Sequence, residues 1–188
     1  MPIPRFMLDR TALLVVDLQE KLLPLIDGAA GVERRCVQLI RGCAALGVRI
    51  AATEQYPAGL GPSVAAIRDA LPAGTPLESK LKFSACVEGV RRRLGEWGTT
   101  HVLVCGIETH ICVCQTALDL LDAGFVVGVA ADAVGSRSAA DHAIALRRLE
   151  QAAAVPLTVE MALFDLVREA GTDRFKALLP LIKDPPRN

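Results

Sequence analysis

Residues 12–52 read ALLVVDLQEKLLPLIDGAAGVERRCVQLIRGCAALGVRIAA, and their pattern decides the fold class. The run Ala12–Val16 is apolar at every position, which suits a strand buried on both faces rather than one with a wet side. Residues 32–46 then place apolar side chains at helical spacing, with Val37, Leu39, Ile40, Ala44 and Leu46 on one face. Gly47 follows as a helix stop, and a second apolar run, Val48–Ala52, begins directly after it. Strand, helix and strand in that order make a βαβ unit with two parallel strands.

The same alternation continues outward. Val102–Cys105, Val126–Ala130 and Ala154–Val159 read as further buried strands, and Pro76–Glu78 as a weaker one. Helical periodicity covers Pro62–Leu71, Cys86–Trp97, Ile111–Ala123, Ala139–Gln151, Met161–Ala170 and a last stretch near Arg174–Ile182. Ser138-Ala-Ala-Asp141 opens one helix like a capping box, and Gly98, Gly124 and Gly171 follow the ends of others. Six strands separated by helices predict an α/β three-layer sandwich, a parallel sheet covered by helices on both faces. Connections are short and no repeat is visible, so residues 8–183 are expected to form a single domain.

Composition narrows the partners. The chain has 188 residues with 21 Lys+Arg against 21 Asp+Glu, a formal charge of zero. That balance gives no basic footprint for nucleic acid or for an anionic membrane. Apolar residues make up 52%, dominated by 28 Ala and 26 Leu, while aromatics total only 4%. Such a core must close by tight helix-on-sheet packing, because few large rings are available to fill space. No run of about 18 apolar residues predicts a membrane span. The opening MPIPRFMLDR lacks a long apolar stretch, so no secretory leader is expected. Cysteines at 36, 43, 86, 105, 112 and 114 lie in apolar stretches and are read as reduced thiols of a cytoplasmic protein.

Open parallel sheets build their sites beyond the carboxyl ends of the strands. Polar groups at those positions are Asp17-Leu-Gln19-Glu20, Thr53-Glu54-Gln55-Tyr56, Ser79-Lys80-Leu-Lys82-Phe83-Ser84, Gly106-Ile-Glu108-Thr109-His110-Ile-Cys112 and Asp132. Asp17 ends an apolar run, so it is either a cap or turn residue or a partly desolvated carboxylate fitted for proton transfer. Cys112 lies three residues past Thr109, which reads as a helix N-cap. Its thiol is then either a small buried hydrophobe or a nucleophile favoured as thiolate by the helix N-terminus. Cys36, Cys43, Cys86 and Cys105 read as core, and so does Cys114, about 200° around the helix from Cys112. Lys80 is either a solvated charge or a cation turned into the rim to set the charge of Asp17 and Cys112.

Taken together, Leu14-Val-Val-Asp17-Leu-Gln19, Lys80-x-x-Phe83-Ser84-Ala85 and Gly106-Ile-Glu-Thr-His-Ile-Cys112-Val resemble the isochorismatase-like cysteine hydrolases. The resemblance runs from about residue 10 to 170 and includes Thr53-Glu-Gln-Tyr-Pro57 and Thr158-Val-Glu-Met-Ala162. It implies a Rossmann-like sheet of order 3-2-1-4-5-6, which would set Asp17 beside Cys112 at the switch point. It also implies a catalytic triad of Asp17, Lys80 and Cys112, with Lys80 chosen over Lys82 by its distance from Phe83. A cis peptide at Ile107–Glu108 is implied as well, with the Glu108 and Cys112 N–H groups as an oxyanion hole. On this resemblance the chain is a hydrolase of a small amide or carbamoyl C–N bond, acting on a small molecule and assembling as a homo-oligomer, a dimer or tetramer.

Metal-dependent nicotinamidases of that family carry an Asp and several His after the second strand. Here the stretch is Thr53-Glu-Gln-Tyr-Pro-Ala-Gly-Leu-Gly61, so no metal and no cofactor is expected. Gln19, Glu54, Gln55, Tyr56 and Phe83 become candidates for the wall of the substrate pocket instead. Rival readings are isochorismate hydrolysis, whose specialised members lack the thiol, and a redox or zinc protein using Cys105, His110, Cys112 and Cys114. A non-catalytic protein on the same fold is a third. The zinc spacing matches no common pattern.

Overall fold

The computed structural model describes residues 4–183. Its six strands are β1 (Thr11–Val16), β2 (Arg49–Gln55), β3 (Leu77–Lys80), β4 (His101–Ile107), β5 (Val126–Gly135) and β6 (Val155–Leu157). Eight helices accompany them: α1 (Ala29–Ala45), α2 (Pro57–Leu60), α3 (Ala65–Ala70), α4 (Glu88–Glu96), α5 (Cys114–Asp122), α6 (Ala139–Gln151), α7 (Val159–Val167) and α8 (Asp173–Lys183). All strands pair in parallel, in the order β3-β2-β1-β4-β5-β6.

The two-residue alternation of a strand divides the core into two layers. Leu13 and Val15 of β1, with Leu103, Cys105 and Ile107 of β4, face α1, α3, α7 and α8. Ala12, Leu14 and Val16, with Val102 and Val104, face α4, α5 and α6. Small residues let these layers close without aromatic bulk. A Cβ on Gly42 of α1 would come within 2.5 Å of Leu163 of α7. Gly128 of β5 likewise leaves room for the Phe6 ring.

Three local features depart from expectation. The second strand runs on to Gln55, because its polar end residues are bonded inside the protein and remain buried. The fifth runs on to Gly135, with its register against β4 broken between Val104 and Gly106. Asp132 therefore lies within that strand and not beyond it. Its Oδ1 accepts the Val159 N–H at the start of α7 at 2.8 Å, and its Oδ2 lies 3.4 Å from Arg35 Nε. The first turn after β4 is a π-helical turn, Thr109–Val113, entered from Glu108, so Thr109 does not cap it. The Ser138 cap does form, its hydroxyl accepting the Asp141 N–H.

Candidate active site

Sheet order brings the sequence-distant rim residues together. Val16 is in register with Thr53 on one side and Gly106 on the other, while Gln55 is in register with Lys80. Asp17 thus emerges between the carboxyl ends of the two central strands, in a left-handed conformation with φ 52° that aspartate tolerates better than most residues. Gly106 makes the approach of β1 and β4 possible here. Its φ is +124°, and an added Cβ would lie 2.0 Å from the Val16 carbonyl oxygen. Gly106→Ala is expected to cost about 3 kcal/mol or more, read as a lowered urea midpoint.

The Asp17 and Lys80 side chains are both 0% exposed. Lys80 Nζ donates to Asp17 Oδ2 at 2.5 Å, to Gln55 Oε1 at 2.8 Å and to the carbonyls of Phe83 at 2.9 Å and Lys82 at 3.2 Å. The lysine comes from an edge strand of largely exposed residues, so this set of acceptors turns its ammonium inward. Thr53 Oγ1 donates to the other Asp17 oxygen at 2.7 Å. Burial raises the Asp17 carboxyl above its usual range, against the opposing pull of Lys80 and the bonds from Lys80, Thr53 and Cys112.

Cys112 sits in the π-helical turn, buried, where the Asp17 carboxyl and the Glu108 backbone N–H both act on its thiol. The Ile107–Glu108 peptide is cis. The expected stabilisation of a resting thiolate is not found. Burial and then the Asp17 charge push the thiol up to about 12, outweighing the Lys80 charge and the Glu108 N–H. The arrangement could pass the thiol proton to the Asp17 carboxylate that acts on it.

Glu108 turns its carboxylate away to Arg137, whose Nε donates to Oε2 at 2.9 Å. Tyr56 and Phe83 are about half exposed, at 52% and 53%, and are free to border a mouth. Gln19, Glu54 and Gln55, expected in the pocket wall, are buried, with most of their polar atoms bonded within the protein. Gln19 Nε2 donates to the carbonyls of Gln55 and Gly61, and its Oε1 accepts the Gln55 N–H. Glu54 Oε1 accepts from the Ser63 N–H and hydroxyl. Gln55 braces Lys80 and donates to the Leu81 carbonyl. These three build the frame that holds the second strand against its neighbours.

Thr116 escaped the sequence reading. Its hydroxyl donates to the Cys112 carbonyl at 2.6 Å and accepts the Ala85 N–H at 2.7 Å, tying the lysine segment to the cysteine turn. Its place four residues after Cys112, where a threonine bonds back to the preceding turn, was the available signal. Of the thiols considered for a metal, Cys105 faces the α1 layer and Cys114 the opposite one. Among the described residues no three His, Cys, Asp or Glu side chains converge to hold an ion.

Known proteins share the sequence and the fold of this chain. Isochorismatase domain-containing protein 2 of Danio rerio is 38% identical over 176 residues, 93% of this chain and 88% of that protein. The secreted isochorismatase effector Isc1 of Phytophthora sojae is 37% identical, over 93% of this chain and 85% of that one. Among solved structures, the MAR1 ribonuclease of Caenorhabditis elegans superposes with a TM-score of 0.93 at 36% identity, covering 98% of this chain and 95% of that one. The Isochorismatase domain family matches residues 11–161, and with those relatives it shows that the chain belongs to the isochorismatase family.

Proposed function

We propose that the chain is a cysteine hydrolase of a small amide or carbamoyl-type C–N bond. One observation supports this above the others: a buried thiol is acted on both by a carboxylate that a buried lysine holds and by a backbone N–H. In the proposed cycle Asp17 takes the Cys112 proton as the sulfur attacks the carbonyl carbon. The Glu108 and Cys112 N–H groups hold the resulting oxyanion. Collapse breaks the C–N bond, and Asp17 returns the proton to the departing nitrogen, leaving a thioester. Asp17 then takes a proton from water, which attacks the thioester and frees the acid and the thiol. Lys80 keeps Asp17 ionised between these steps.

Little of Cys112 is open to solvent, which favours a small molecule over a polymer, and the zero net charge supports the same choice. The ribonuclease activity named for the worm relative is therefore not carried over. All six thiols are free, in keeping with a cytoplasmic setting, and we take the chain to act as a homo-oligomer without metal or cofactor.

Two measurements test the reading. Small amides, carbamoyl compounds and isochorismate are screened against the wild type, with an acyl adduct sought on Cys112 by mass spectrometry. Turnover of isochorismate alone, with no adduct, would replace C–N cleavage by vinyl ether hydrolysis. Alkylation of Cys112 by iodoacetamide is then followed against pH. Its rate is expected to keep rising through pH 9–11, where an ordinary thiol of pKa about 8.5 has levelled off. A plateau near neutral pH would show a resting thiolate and remove Asp17 as the proton acceptor.

A further inference from the structure

Three consecutive residues of the nucleophile loop each take a partner from beyond β5: two from the segment joining β5 to α6 and one, His142, from the first turn of α6 itself. Glu108 Oε2 accepts from Arg137 twice, from Nε at 2.9 Å and from the backbone N–H at 3.3 Å. Thr109 Oγ1 lies 3.0 Å from His142 Nδ1, and His110 Nδ1 lies 2.9 Å from Ser136 Oγ. The loop is thus held from outside the sheet as well as by its own turn.

Arg137 differs from the other two partners. Its side chain is 56% exposed, yet it grips a carboxylate that is only 9% exposed. That carboxylate belongs to Glu108, which enters the turn of Cys112; its carbonyl accepts the Ile111 and Val113 N–H groups, and its own N–H acts on the Cys112 thiol. A side chain fixed at one end limits rotation of its own backbone, so a grip on the carboxylate restrains the direction of the N–H. A single guanidinium nitrogen, Nε, makes this grip, and the Arg137 backbone N–H converges with it on the same oxygen.

We infer that Arg137 is a positioning residue for acyl transfer: by holding the Glu108 carboxylate it aims the Glu108 N–H at the oxyanion formed when Cys112 attacks a carbonyl. The inference rests on Cys112 being the nucleophile and adds to that reading a device that sets its electrophilic stabilisation.

Two neutral reagents test it. Acylation by p-nitrophenyl acetate passes through an oxyanion: the S–C bond forms, the thiol proton goes to Asp17, and p-nitrophenolate leaves as the ester C–O bond breaks. Alkylation by iodoacetamide forms an S–C bond and expels iodide with no oxyanion. Arg137→Met is expected to slow acylation of Cys112 by about 10- to 100-fold and to leave alkylation at the wild-type rate. Arg137→Lys should recover part of the loss, since it restores the charge without the Nε donor. Glu108→Gln should match Arg137→Met, and the double variant should lose no more than either alone. Wild-type acylation in Arg137→Met, the result for an arginine that only reads substrate charge, would overturn the inference. So would a parallel fall of both rates, with or without a lowered melting temperature. If wild-type Cys112 takes the acetyl group no faster than Cys86, the nucleophile reading itself fails and this one falls with it.

Discussion

Cys112→Ala is expected to abolish turnover, by about 10⁴-fold or more, while leaving the fold intact. On the proposed mechanism the sulfur is the atom that bonds to substrate, and no neighbour can replace it. His110 is turned to Ser136, and Cys114 lies in the core of the α4–α6 layer. The structural cost is small, because the substitution removes one buried atom and leaves Asp17 its bonds from Lys80 and Thr53. A melting temperature within a few degrees of wild type is therefore expected, since the loss is about 1 kcal/mol. Near-normal turnover of a verified substrate by this variant would remove the nucleophile from the mechanism. Cys112→Ser sharpens the comparison, because a hydroxyl keeps the shape but gives up its proton far less readily.

Lys80→Met should damage stability as well as activity. Removing one partner of a fully buried ion pair costs about 3–5 kcal/mol, because the other charge is left without compensation. Here the survivor is Asp17, with Thr53 and the Cys112 thiol as its remaining donors. Its carboxyl is already raised by burial and loses the opposing pull of the ammonium, so its folded pKa climbs further. The pH dependence follows from that sign. Below the unfolded pKa, about 3.9, both states carry a protonated Asp17 and its charge costs nothing. As pH rises through the window up to the folded pKa, only the unfolded state ionises, and stability falls. Urea unfolding at pH 5 and pH 7.5 measures this: the deficit of Lys80→Met should be larger at pH 7.5. Adding Asp17→Asn should restore part of it, since no bare charge then remains. Equal deficits at both pH values would show that the lysine stabilises by packing alone.

Much of this site was legible before any coordinate, for physical reasons that differ by residue. Asp17, a carboxylate ending a run of five apolar residues, fitted a cap as well as a proton acceptor, and only the family motif separated the two. Lys80 was separable from Lys82 only through the family spacing to Phe83, since both are lysines on one short strand exit. The strand order likewise came from the resemblance, as apolar runs do not reveal their neighbours. What stayed hidden depends on contacts between distant segments. Thr53 on Asp17, Thr116 on Ala85 and Arg137 on Glu108 join residues 36, 31 and 29 apart. The resting state of Cys112 was left open between a buried thiol and a thiolate, because a helix N-terminus is visible in a sequence and desolvation is not. Asp132 was placed beyond β5 because an acidic residue looks like a strand end until its partners on α1 and α7 are known.

The third strand has four residues, three of them open to solvent to some degree, and it pairs only with β2. Little in its sequence would hold it there. The ammonium of Lys80 rivets its last residue to the β1 end, to β2 and to the loop that follows. On the proposed mechanism, chemistry and architecture therefore share the same contacts. A lineage released from catalysis would lose the selection that keeps this sheet margin closed, so decay of activity and fraying of the margin would be inherited as one trait.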